Sequence, residues 1–267
     1  MGPNELPAEP GSELSEASDA EFEEAKGKPF PSLTGAALYI TRSTKPAEYG
    51  YIHHLTRFMG KWGIKHWRML CHVAACMVRD RDEAIWFDGS ISDRLVTFSD
   101  ANYSGIKSTG CMLLFRNGGP IQWHIIRLSA KYLSSTLACE LKTAAELAAR
   151  GEGLRDLIME CPGGIDTDRA TEQWIDNKGA RDVAIKPGTL SGISRHLMKD
   201  ITSLRGRASQ LEPILGWCPT KEMLADIGSK FQKQSDYEYM KPRVRGETKS
   251  IYFVSLQQPT ADPANIS

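Results

Sequence analysis

The sequence predicts an α/β protein: a five-stranded mixed sheet, three antiparallel strands followed by alternating helices and strands, with helices on both faces. Three observations predict it. Three short apolar runs between Leu95 and Arg127 are separated by turn chemistry, and a long helical period opens at Thr136. Two further strand-like runs, Gln173–Ile175 and Leu211–Trp217, are each followed by helical sequence. Hairpin strands first and helix-alternating strands later build a mixed sheet with helices against it.

Each element has its own local reason. Residues 1–32 are acidic and Pro-punctuated without an apolar period, so they are expected to be a disordered leader. From Leu33 to Ile85 apolar residues recur at helical spacing (Tyr51, Leu55, Phe58, Met59, then Trp67, Leu70, Cys71, Ala74, Ala75, Val78), which predicts two helices split near Gly60–Gly63. Two helices bury little alone, so residues 33–92 should pack on something else. Strands are expected at Leu95–Ser99, Cys111–Phe115 and Ile121–Arg127, with Asn117-Gly118-Gly119-Pro120 as the turn between the last two. Ser134, Ser135 and Thr136 supply N-cap chemistry for an Ala/Leu-rich helix to Met159. After Gln173–Ile175 come a short helix and another from His196 to Arg207; Leu211–Trp217 is the fifth strand, and Pro219 opens a last helix to Lys230. Residues 93–232 thus form the sheet domain, and 233–267 are expected to be a loose tail.

Composition excludes several classes. The 267 residues, 41% apolar and 25% charged, suffice for a proper core. Bases and acids both total 33, so a uniformly basic coat protein is excluded, but residues 1–30 hold eight acids against two lysines and leave the remainder modestly basic. That remainder suits a phosphate-bearing partner without requiring one. No apolar run is long enough for a membrane span, and Met1–Glu16 lacks the basic and apolar regions of a secretory signal, so an intracellular protein is expected. The six cysteines form no C-x-x-C pair, which argues against zinc and a disulfide framework.

Four acids are set apart by position. Asp100 closes the first strand and Asp176 the fourth, at the sheet edge where α/β proteins bind ligands. Glu140 lies near the start of the long helix and Asp226 in the final one. Carboxylates brought together raise one another's pKa unless cations compensate. Mg²⁺ prefers hard oxygen ligands and keeps waters, and two such ions can serve both the attacking and the leaving oxygen of a phosphodiester. Each acid taken singly is also an ordinary turn, cap or solvated helix residue.

Local wording adds to this. Phe98-Ser-Asp-Ala-Asn-Tyr-Ser-Gly105 with Lys107-Ser-Thr-Gly110 resembles the S-D-A-D-x-A-G and R-K-S-T-S-G stretch of copia-type retrotransposon polyproteins. Gly118-Gly-Pro-Ile-Gln-Trp123 resembles that family's G-G-x-I-x-W, and Leu133-Ser-Ser-Thr136 its L-S-S-T-E-A-E. Ile175-Asp-Asn-Lys-Gly-Ala180 is similar to C-D-N-Q-S-A, Ser194-Arg-His196 to its K-H-I segment, and Pro219-Thr-Lys-Glu-Met-Leu-Ala-Asp226 to P-T-x-x-x-x-A-D. Thr41-Arg42, Leu55–Met59 and His66-Trp67 resemble the family's connection between reverse transcriptase and ribonuclease H.

The resemblance implies a ribonuclease H-like fold, and cleavage of the RNA strand of RNA–DNA hybrids with two Mg²⁺, for which Mn²⁺ can substitute. By position it makes Asp100, Glu140, Asp176 and Asp226 the catalytic and metal-binding acids. Asn177, Lys107, Lys178 and His196 become candidate substrate contacts. It also implies a reverse transcriptase domain as partner in the parent polyprotein, with no membrane and no small-molecule cofactor. The polymerase's Y-x-D-D is not in this chain.

Departures from the family pattern keep a second reading open. Leu137-Ala-Cys separates Ser-Ser-Thr from Glu140, one residue more than in the family, and one residue on a helix turns a side chain by about 100°. His124-Ile-Ile-Arg-Leu128 replaces a basic stretch, which predicts weakened phosphate contact through that strand. The alternative is a catalytically inactive remnant that keeps the fold and at most binds nucleic acid. Trp62, Trp67 and Trp123 are expected in the core rather than as base-stacking platforms.

Overall fold

Hairpin chemistry sets the first half of the sheet. Strands β1 (Leu95–Asn102), β2 (Thr109–Arg116) and β3 (Gly119–Arg127) form an antiparallel meander. The β2–β3 turn places Asn117 at φ 51° and Gly118 at φ 71°, the two left-handed positions that a two-residue turn matched to strand twist requires. Strand β4 (Glu172–Ile175) then lies parallel to β1, and β5 (Ile214–Trp217) parallel to β4. The order is β3-β2-β1-β4-β5, the expected five-stranded mixed sheet. The structure, a computed structural model, describes residues 6–8, 14–91, 93–104, 108–129, 135–161, 171–186, 195–209 and 214–254.

Both faces of the sheet are covered, as near-continuous burial along β1 and β2 demands. Met112 and Leu114 point toward Leu147 of α5 (Thr136–Met159). Beside α5 lie α6 (Lys178–Ile185) and α7 (Arg195–Ser209). The alternate residues Phe98, Leu113 and Phe115 join Trp123, Ile125 and Trp174 in the opposite core. That core is completed by upstream helices α2 (Phe30–Thr44), α3 (Pro46–Leu55) and α4 (Ile64–Arg79), and by α8 (Asp226–Ser229) and α9 (Gln234–Val244). The upstream helices were expected to pack on something else, and what they pack on is the sheet. Trp123 is a core residue whose Nε1 donates to Thr41 O at 2.9 Å, and Trp62 stacks on Phe30.

The backbones of α3 and α8 nearly touch. A Cβ on Gly50 would meet the Gly228 Cα at 2.9 Å, so two glycines let the upstream segment lie directly behind α8. This explains the isoleucines of β3. Ile125 faces α8 and Ile126 faces the α5 side, so the strand is walled by apolar neighbours on both sides.

The structure corrects several expectations. The acidic leader is not structureless throughout: a helix, α1, spans Asp19–Ala25, closed by a Ser18–Glu21 capping box and anchored by Phe22 edge-on to Trp62. Residues 33–85 hold three helices, because Pro46 ends α2 and starts α3 with its fixed φ. The last helix is broken. A 3₁₀ turn covers Thr220–Glu222 and α8 starts only at Asp226, with Met223, Leu224 and Ala225 fully buried between them. The tail is not loose either: α9 and α10 (Ile251–Val254) bury Tyr237, Met240, Val244, Tyr252 and Phe253. Among the described residues no helix is long and apolar enough to cross a membrane.

Candidate functional site

The sheet topology decides which acids meet. β1 and β4 are adjacent and parallel, so Asp100 near the end of β1 and Asp176 just beyond β4 emerge at the same edge. Asp226 is the first residue of α8, which crosses behind that edge. Asp100, Asp176 and Asp226 each offer an oxygen within 4.8 Å of the others. Glu140 lies outside that set of three but shares an open cavity of about 610 Å³ with Asp100 and Asp176. The structure thus brings all four acids to one place.

Glu140 gets there because α5 lies close to the sheet. A Cβ on Gly110 of β2 would sit 2.2 Å from Thr143 Oγ1, so only glycine lets the helix approach this far. Ser135 caps the helix by accepting from Ala138 N at 3.2 Å, fixing its start and hence its rotation. The extra residue before Glu140 leaves the side chain 3% exposed and turned inward.

Uncompensated, these charges disturb each other. Burial, followed by the charges of Asp100 and Asp176, pushes the Glu140 carboxyl up to about 9. Burial and Asp100 push Asp226 up to about 8, and the same two causes raise Asp176. Three hydroxyl or amine partners steady the oxygens. Thr220 Oγ1 donates to Asp176 Oδ2 at 2.9 Å, the Ser229 hydroxyl donates to Asp100 Oδ2, and Lys230 Nζ lies 2.8 Å from Asp226 Oδ1 and 3.4 Å from Asp100 Oδ2. Glu140 Oε2 is buried with no hydrogen-bond partner. A set of hard carboxylate oxygens, one of them buried and without a hydrogen-bond partner, fits a hard divalent cation.

The remaining candidates separate. Asn177 lines the cavity and caps α6, its Oδ1 accepting from Ala180 N at 3.0 Å. Lys178 also lines it, with Nζ 4.1 Å from the centre of the Trp217 ring. Lys107 lies outside the described residues. His196 belongs to α7, and its side chain is not among those described. Sequence reasoning missed Thr220, Ser229 and Lys230. The first two are ordinary hydroxyls in a turn and a short helix and carry no local signal. Lys230 follows Asp226 at i+4, a spacing that on a helix brings the charges together.

A second acidic trio, Glu48, Asp80 and Glu83, also has oxygens within 4.8 Å. Lys241 Nζ sits among them at 2.5 Å from Asp80, 2.9 Å from Glu83 and 3.7 Å from Glu48, with Arg245 on Glu83 and Tyr237 on Glu48. Those charges are already paired, and the network ties α9 to α3 and α4.

No family model matches the chain, nor does any curated protein. Among solved structures, it is similar to LC11-RNase H1, isolated from compost by a metagenomic approach, at 10% identity over 50% of this chain and 91% of that one, with a TM-score of 0.38. It is similar to the N-terminal RNase H domain of rv2228c from Mycobacterium tuberculosis at 16% identity, 51% and 89% coverage and TM-score 0.35. It is similar also to the foamy viral protease-reverse transcriptase in complex with RNA/DNA hybrid, at 15% identity, 76% and 27% coverage and TM-score 0.42. By the order and direction of its five strands and the helices on both faces, the fold is ribonuclease H-like.

Proposed function

We propose that this chain is a retroelement-derived ribonuclease H that hydrolyses the RNA strand of RNA–DNA hybrids with divalent metal, its upstream helices forming the connection to a reverse transcriptase. One observation carries the reading: Asp100, Asp176 and Asp226 converge, and Glu140, which lines the same cavity, holds a buried oxygen without a hydrogen-bond partner. Two Mg²⁺ or Mn²⁺ ions bound there would polarise the scissile phosphate and let the four acids ionise together. Asp100, Glu140, Asp176 and Asp226 would hold the ions, Asp100 having an oxygen within 4.8 Å of both Asp176 and Asp226. Thr220 and Ser229 orient Asp176 and Asp100 through their hydroxyls. Asn177, fixed by its cap hydrogen bond, keeps its amide NH₂ for a substrate hydroxyl, and Lys178 at the rim is placed for a phosphate.

A labelled RNA–DNA hybrid incubated with the full chain tests this. The expected result is cleavage in Mg²⁺ or Mn²⁺ but not in chelator, reduced at least ~10²-fold by Asp100→Asn, which corresponds to about 2.7 kcal/mol of barrier. Full activity of Asp100→Asn contradicts it. The inactive-remnant reading is favoured by one observation, the Lys230 ammonium between two of the acids. Its signature is hybrid retention in a gel shift with no cleavage in either metal.

A further inference from the structure

Lys230 follows α8 and reaches back into the carboxylates. Its Nζ is 2.8 Å from Asp226 Oδ1 and 3.4 Å from Asp100 Oδ2, a position within the trio that a divalent cation would take up. Its side chain is 37% exposed while those of Asp100 and Asp226 are nearly inaccessible, so the lysine enters from the cavity side. The contrast with Lys241 is informative. That ammonium is 11% exposed and shared by three carboxylates, so nothing frees it.

Lys230 has somewhere to go. It lines both the 610 Å³ cavity and a neighbouring one of about 190 Å³; the wall of the smaller includes Arg57, His53 and His54, so the larger is the space open to a displaced ammonium. A lysine is a point charge on a flexible four-carbon stem and makes no fixed two-pronged contact, so it can exchange partners without rebuilding the backbone.

We propose that Lys230 is a built-in counter-cation of this site: its ammonium neutralises Asp100 and donates to Asp226 in the metal-free protein, must leave when a divalent cation binds, and so weakens cation affinity. The inference rests on the reading that these acids hold such a cation. It assigns Lys230 a positioning role, holding the acids together when metal is scarce and swinging into the larger cavity when it is not.

The test is a Mn²⁺ titration of the full, chelator-stripped chain, following free Mn²⁺ by electron paramagnetic resonance. Lys230→Met should bind Mn²⁺ at least ~10-fold more tightly than the unsubstituted chain, equivalent to about 1.4 kcal/mol. Lys230→Arg, which keeps the charge, should stay near the unsubstituted value. Lys230→Gln, which retains a donor for Asp226, should also bind more tightly and serves if Lys230→Met does not fold without metal. Lys230→Met should also melt lower in chelator, with the difference shrinking once Mn²⁺ saturates. Mn²⁺ affinity unchanged or weaker in both neutral variants overturns the proposal while leaving the nuclease reading intact. No Mn²⁺ binding by any of these proteins overturns both.

Discussion

Glu140, Asp226 and Glu172 all hold protons in the metal-free fold at pH values where the unfolded chain has lost them. Glu140 is pushed up to about 9 and Asp226 to about 8 by burial and neighbouring acids. Glu172 is pushed up to about 7 by burial, despite Arg94 Nη1 at 2.5 Å. The sign follows: for an acid whose pKa is raised on folding, the stability is complete below the ordinary carboxylate range and is lost as pH rises through the folded value. Metal-free protein should therefore lose melting temperature from pH 7 to pH 9, above the range in which His53 and His124, pushed down to about 4 by burial, make stability rise with pH; the loss is a few degrees, since each kcal/mol is worth about 2–4 °C in a chain of this size. Added Mg²⁺ should flatten or reverse the slope, because it binds the ionised acids. Scanning calorimetry in chelator across that range checks it, and a flat or rising profile contradicts the crowding of charges described here. The position of Asp176 just beyond a strand was legible in the sequence, whereas β1 runs on past Asp100 to Asn102 instead of closing there. The partners of those acids were not legible. Ser229 and Thr220 matter only through contacts across more than forty positions of chain, which no local pattern encodes.

Helix α5 shows how an element carries a functional group. Its small residues, Ala138, Ala144, Ala145 and Ala148, are buried, and Gly110 beneath it removes the last obstacle. Gly110→Ala should drive the methyl into Thr143, shift α5 outward and cost about 1–3 kcal/mol. Denaturant unfolding measures that cost, and a hybrid-cleavage assay should show activity falling further than stability explains, because Glu140 moves with the helix. Adding Thr143→Ala should recover much of both; no recovery would separate the helix position from the glycine. The beginning of α5 was readable from Ser-Ser-Thr and its length from the Ala/Leu period. Helix α8 was not, because nothing local between Pro219 and Lys230 separates the 3₁₀ turn from the short helix that follows it. In α9, the spacing of Tyr237, Met240 and Val244 did carry a helical signal, hidden among Lys, Arg and Pro.

At the scale of the molecule, the sheet does not end at the edges suggested by sequence. One apolar core joins Phe30, Tyr51, Leu55 and Phe58 upstream, Phe98, Phe115 and Trp123 in the sheet, and Tyr237, Tyr252 and Phe253 downstream. A chain cut to residues 93–232 would uncover that face, so it should aggregate or unfold without a cooperative transition, whereas the full chain should melt cooperatively. Circular dichroism melts of the two proteins make the comparison, and a stable, soluble 93–232 fragment would contradict it. The fold class was legible because alternation and turn chemistry are local. The shared core was not, since it depends on Gly50 and Gly228 allowing two backbones to touch. The most direct test of the central claim is anomalous scattering from crystals grown with Mn²⁺. Peaks are expected among Asp100, Glu140, Asp176 and Asp226, and none at Glu48, Asp80 and Glu83, where Lys241 holds the centre. An empty site at the first four, or Mn²⁺ at the second trio alone, would contradict it.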